Sequence, residues 1–134
     1  MANKKLSFSG EEKSLDEIMS WYDDQQQALL DFRNKIIYSF LSNTALLNDK
    51  FSDFSLDEIR DYFDQSKEEL EHLVCFDLIS ATEAKLRVDY NKKATEKHRT
   101  DIARAFRLIY NEKQANASLK NDIIECWKTI LYAV

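Results

Sequence analysis

Apolar positions recur at helical spacing along nearly the whole chain. Leu15, Ile18, Met19, Tyr22, Leu29, Phe32, Ile36, Ile37, Phe40 and Leu47 share one side of a single helix. They predict a first helix over residues 15–48, about 50 Å long. A capping box opens it: Ser14 accepts from backbone amides and Glu17 reaches back to the Ser14 amide. Residues 48–53 read as a loop. A second box, Ser55 to Glu58, opens a second helix. From Leu70 to Tyr90 that helix carries two opposed stripes. One is Leu70, Leu73, Val74, Ala81, Ala84 and Val88; the other is Phe76, Ile79, Leu86 and Tyr90. A helix apolar on two sides belongs in the middle of a bundle. Residues 91–100 lack apolar periodicity and read as a polar connection. Thr100 then caps a helix over 101–113, with Ile102, Ala105, Phe106 and Ile109 inward. After a turn at 116–118, the last helix carries Leu119, Ile123, Trp127, Ile130 and Val134.

The pattern therefore predicts an all-α protein, an elongated helical bundle of four to five helices. It predicts a flexible lead-in over 1–13 and one bundle domain over 14–134. The expected core is Leu73, Val74, Phe76, Ile79, Phe106, Ile109, Ile123, Trp127 and Ile130. The last helix reaches Val134 without Gly, Asn or a basic final turn, which predicts a natural chain that continues.

Part of the pattern repeats. Ser14-Leu15-Asp16-Glu17-Ile18 returns as Ser55-Leu56-Asp57-Glu58-Ile59, and Trp21-Tyr22-Asp23 is echoed by Tyr62-Phe63-Asp64, at an offset of 41 residues. The match ends after Asp64. Two helices opened by the same cap account for it more simply than a duplicated hairpin.

Composition supports the helical reading. Proline is absent from the 134 residues and glycine occurs once, at Gly10, so turn-rich β-sandwiches and glycine-dependent dinucleotide folds are nearly ruled out. The N-terminus has Lys4 and Lys5 but no apolar stretch of a signal peptide, and no run of about 18 apolar residues predicts a membrane span. Cys75 and Cys126 stand apart, beside Phe76 and Trp127, as small buried hydrophobes would. Lone thiols of this kind fit a reducing, cytoplasmic setting.

Charge changes the picture more. The net −5 hides an asymmetry: residues 1–77 hold 17 acids against 8 bases, and residues 78–134 hold 7 acids against 11 bases. The bases concentrate at Lys85, Arg87, Lys92, Lys93, Lys97, Arg99, Arg104 and Arg107. Lys85, Arg87, Lys92, Lys93, Arg99, Arg104 and Arg107 are the candidate contacts to RNA phosphates or to a protein partner. The same charges also fit a solvated face or self-association with the acidic half. Tyr90, Phe106 and Tyr110 are the sparse aromatics available for base stacking.

Three constellations bear on chemistry. Glu69-x-x-His72 is half of a di-metal carboxylate motif, but no second copy exists and no metal site is expected. Cys75 lies one turn from His72 but mid-helix, away from the amide dipoles that lower a catalytic thiol's pKa. Asp77 and Glu83 interrupt the apolar stripes, and buried carboxylates need partners. Glu83 and Arg87 have the favourable spacing of four. Arg104 and Arg107 are the candidates for Asp77, giving a predicted buried polar network of Asp77, Glu83, Arg87, Arg104 and Arg107.

Residues Glu83-Ala84-Lys85-Leu86-Arg87-Val88-Asp89-Tyr90, Ala103-Arg104-Ala105-Phe106-Arg107 and Asp122-Ile123-Ile124-Glu125-Cys126-Trp127-Lys128 carry a further signal. Over residues 74–128 the chain resembles the HEPN superfamily (higher eukaryotes and prokaryotes nucleotide-binding) of small bacterial proteins. The resemblance implies an all-α fold, a homodimer and a place in antiviral defence or toxin–antitoxin systems. Many members are metal-independent RNases with an Arg-x4–6-His motif. None of the arginines at 33, 60, 87, 99, 104 and 107 has a histidine at that spacing, so no catalytic residue is assigned. Glu83, Arg87, Arg104, Arg107 and Trp127 match as structural positions.

Two expectations follow. The first is a non-catalytic HEPN-like module that dimerises and holds RNA or a partner protein, without a cofactor. The second is an unrelated helical interaction module, an inhibitor, antitoxin or assembly subunit, using its acidic 49–71 face. A chain that continues to an Arg-x4–6-His would instead be a metal-independent RNase.

Overall fold

The computed structural model describes residues 14–43 and 49–133. The expected lead-in over 1–13 lies outside the described residues, as do Leu47 and Val134. The chain is all-α, with four α-helices and no strand among the described residues: α1 (Leu15–Leu41), α2 (Leu56–Thr95), α3 (Asp101–Lys113) and α4 (Glu125–Leu131). Contacts divide it into two compact units, residues 13–78 and residues 79–134. No described helix is long and apolar enough to cross a membrane.

Residues 13–78 hold α1 and the first part of α2, joined through a 3-10 turn at Asp49–Phe51. Both predicted capping boxes are formed. The Ser14 amide donates to Glu17 Oε2 at 3.2 Å and the Glu17 amide to Ser14 Oγ at 3.1 Å. Ser55 and Glu58 do the same at 2.7 and 3.2 Å. α1 ends at Leu41, short of the expected 48. The Ser42 amide bonds back to the Tyr38 carbonyl at 2.9 Å, and Asn43 turns into the left-handed region at φ 53°, where an Asn side chain is tolerated.

α1 and α2 pack antiparallel, with Tyr22 donating to Glu71 and Phe32 edge-on to Phe63. The core here is Ile36, Phe51, Ile59 and Phe63. Phe51, from the segment expected to be a loop, is fully buried and touches the rings of Phe32, Phe54, Tyr62 and Phe63. Each ring pair adds to the area buried, and so many around one residue make Phe51 the hub of the hairpin.

Residues 79–134 hold the end of α2, α3 and α4 around Tyr90, Ala94, Ile102, Phe106, Ala117 and Ile123. α2 runs on through Asn91–Thr95, expected as connection, because Ala94 belongs to this core and Lys93 pairs with Asp89 one turn back. The expected last helix is in two parts. Ser118 caps a π-helical segment, Leu119–Ile124, which leads into α4. The amides of Asp122 and Ile123 share the Ser118 carbonyl at 3.1 Å each, and the second bond widens the turn.

The expected core is corrected at three positions. Val74, Phe106 and Ile123 are buried, and Ile109, Trp127 and Ile130 pack partly buried against the second core. Leu73, Phe76 and Ile79 are exposed, at 57, 69 and 64%. Of the two stripes, the residues that go inside are Val74, Ala81 and Tyr90, while Val88 stays exposed. Cys75, expected to be buried, is exposed; Cys126 is half-buried.

Candidate functional sites

The seven candidate basic residues fall into two groups. Arg87 pairs with Glu83 at 2.9 Å, as its spacing predicts, and donates to the Ala117 carbonyl at 3.0 Å. It thereby ties α2 to the turn before α4. Lys93 pairs with Asp89 and sits 5.4 Å from the Trp127 ring. Arg107 donates to the carbonyls of His98 (2.7 Å) and Glu96 (3.4 Å), fastening the α2–α3 connection to α3. These three cations hold the fold. Lys85, Lys92, Arg99 and Arg104 are exposed.

The predicted buried network is corrected. Glu83 and Arg87 come together, half-buried. Arg104 is exposed and lies 3.6 Å from Asp101 on its own helix, and Arg107 serves backbone carbonyls. Neither arginine is a buried partner for a carboxylate. Asp77 is half-buried and belongs to the other unit. The stacking candidates are also placed: Tyr90 and Phe106 are core, and Tyr110 is half-buried against Tyr90.

The ionisable groups with displaced pKa values are structural. Lys113 bonds both Asp122 oxygens, at 2.8 and 3.0 Å, and with the Ser118 amide holds that carboxyl below its usual value. A hydrogen bond from Lys50 lowers the Tyr62 phenol. Burial pushes the Cys126 thiol up, against the direction a nucleophile needs. Glu69, His72 and Cys75 are exposed, and among the described residues no three His, Cys, Asp or Glu side chains converge as metal ligands.

In residues 13–78 the expected acidic 49–71 face takes a definite form, and a pocket beside it escaped the periodicity. On α2, Asp57, Asp61, Asp64, Glu68 and Glu71 are spaced by three and four, so they form one acidic stripe, exposed throughout. Arg60 and Lys67 flank it, 3.9 Å from Asp57 and 3.8 Å from Glu71. Beside this stripe a pocket of about 560 Å³ opens between α1 and α2, walled by Leu29, Leu30, Phe63 and Arg33 and edged by Gln26 and Asp64. The Nε of Arg33 is buried with no hydrogen-bond partner. A heptad-like count of charges finds the stripe; nothing local in the sequence marks the pocket, because a third of its lining comes from another helix.

Compared with family models, with curated proteins and with solved structures, the chain matches none.

Proposed function

We propose that the chain is a non-catalytic helical interaction module that works by pairing, in the first place with a second copy of itself. The observation that carries this reading is the exposed acidic stripe of α2, Asp57 to Glu71. The exposed cations Lys85, Lys92, Arg99 and Arg104 supply its complement in the partner copy. Complementary fields of this kind steer association and set its register.

A charge swap tests it. Reversing Asp61, Asp64 and Glu68 to lysine leaves both surfaces positive. Reversing Lys85, Lys92 and Arg99 to glutamate leaves both negative. Sedimentation should show a dimer for the parent chain at micromolar concentration, monomers for each triple variant, and a restored dimer when the two variants are mixed. A monomeric parent chain, or a dimer indifferent to both reversals, overturns the proposal.

The resemblance over residues 74–128 supports a second reading, a HEPN-like module of bacterial defence or toxin–antitoxin systems that holds RNA along the same cations. With Tyr90 and Phe106 in the core, such binding would rest on phosphates rather than on stacked bases. It predicts an intact dimer and weakened RNA binding for the basic triple variant. The salt slope would fall by about 0.7 for each phosphate that the variant no longer neutralises.

A further inference from the structure

Four cations among the described residues are half-buried: Arg33, Arg87, Lys93 and Arg107. Three have protein partners, in Glu83 and the Ala117 carbonyl, in Asp89, and in the His98 carbonyl. Arg33 has none. No carboxylate of the described residues lies within ion-pair distance of it, and its Nε is a buried donor without an acceptor. A buried N–H donor without an acceptor is unfavourable, and the guanidinium that carries it lines the pocket with no carboxylate beside it, so this edge of Arg33 is set to receive an anion.

The pocket defines the anion. Its other cation, Lys67, faces Glu71 at 3.8 Å, and Gln27 donates to Asp31 at 2.9 Å. Arg33 and Gln26 remain as its uncommitted donors. They are seven residues apart on α1, on one face and about 10 Å apart along the axis. Between them Leu29 and Leu30, with Phe63 from α2, form an apolar wall. The volume of about 560 Å³ is that of a small-molecule site. Asp23 and Asp64 on the lining repel a doubly charged phosphate more than a single carboxylate. The planar fork of arginine matches a carboxylate in two parallel hydrogen bonds.

We propose that this pocket binds a small amphipathic monocarboxylate. The carboxylate sits on Arg33, a flat apolar body lies against Leu29, Leu30 and Phe63, and a polar far end reaches Gln26. The site adjoins the acidic stripe of α2 and shares Asp64 with it, but the proposal does not rest on pairing.

The test titrates para-hydroxyphenylpropionate, its neutral amide and inorganic phosphate into the isotope-labelled chain. The carboxylate should shift the Arg33 Nε–Hε resonance and the amides around Leu29, Leu30 and Phe63. The neutral amide should bind at least about tenfold more weakly, and Arg33→Gln should weaken the carboxylate to the same degree. The melting temperature of Arg33→Gln should be unchanged or higher, because the substitution removes an unpaired charge. Equal binding of acid and amide, tighter binding of phosphate, shifts confined to other residues, or no binding in the millimolar range each overturn the proposal. So does a large fall in the melting temperature of Arg33→Gln, which would reveal a structural partner.

Discussion

Tyr90 donates its phenolic hydroxyl to the carbonyl of Gln114 at 2.9 Å, and Gln114 stands at φ 50°, ψ −133°. The bond ties the buried ring of α2 to the end of α3 through a residue whose backbone conformation suits glycine. Tyr90→Phe leaves that carbonyl without its donor and should cost about 1–2 kcal/mol. Gln114→Gly relieves the strain and should stabilise by about 1 kcal/mol. Urea denaturation of the two variants checks both signs; a destabilised Gln114→Gly would show that the side chain matters more than the backbone.

Asp122 makes part of the stability depend on pH. Its folded pKa is depressed, chiefly by the hydrogen bond from Lys113 and then by the Ser118 amide. A depressed carboxyl stabilises the fold above its unfolded value, about 3.9, and that contribution is lost as pH falls towards the folded value. Asp122→Asn should therefore melt below the parent chain at neutral pH, with the gap closing as the pH drops under about 4. A gap that stays constant down to acid would mean that the carboxylate charge contributes nothing.

The exposed and buried aromatics should separate sharply in denaturation. Phe51→Ala and Phe63→Ala remove rings from the centre of the hairpin and should each cost about 3–5 kcal/mol. Phe76→Ala, at 69% exposure, should change stability by no more than about 0.5 kcal/mol in the monomer. A large effect at Phe76 would place it in an interface that the monomer lacks.

RNA should survive incubation with this chain in EDTA. No arginine has a histidine at the HEPN spacing, and the Arg107 guanidinium is occupied by the backbone carbonyls of Glu96 and His98. Gel analysis of single-stranded RNA and tRNA over a wide protein range is the measurement. Cleavage abolished by one point substitution would establish a site of a different kind.

The local features were legible in the sequence. Ser14-x-x-Glu17 and Ser55-x-x-Glu58 formed the boxes they spell, because a capping box involves residues three apart and needs no distant partner. Glu83 and Arg87 paired for the same reason, as did the Thr100 cap with the Ala103 amide. The all-α class followed from helical periodicity without proline. Departures from regular helix were less legible, although they too are local. The end of α1 depended on a turn at Ser42 and Asn43, and the π-helical entry to α4 depended on two amides sharing one carbonyl.

Residue pattern by itself therefore determined the all-α class, the starts of α1, α2 and α3 and the charge asymmetry, since these are sums of interactions within a few turns. Only the tertiary structure decided which side of α2 is covered. Apolar residues lie on more than one face of that helix, and periodicity measures spacing without saying where a neighbour stands. Phe76 and Phe63 are the same residue type on the same helix, yet only Phe63 meets Phe51 and Phe32. The partnerless state of Arg33 is of the same kind. Whether a guanidinium is paired depends on carboxylates delivered by other helices, and that is settled when the chain packs.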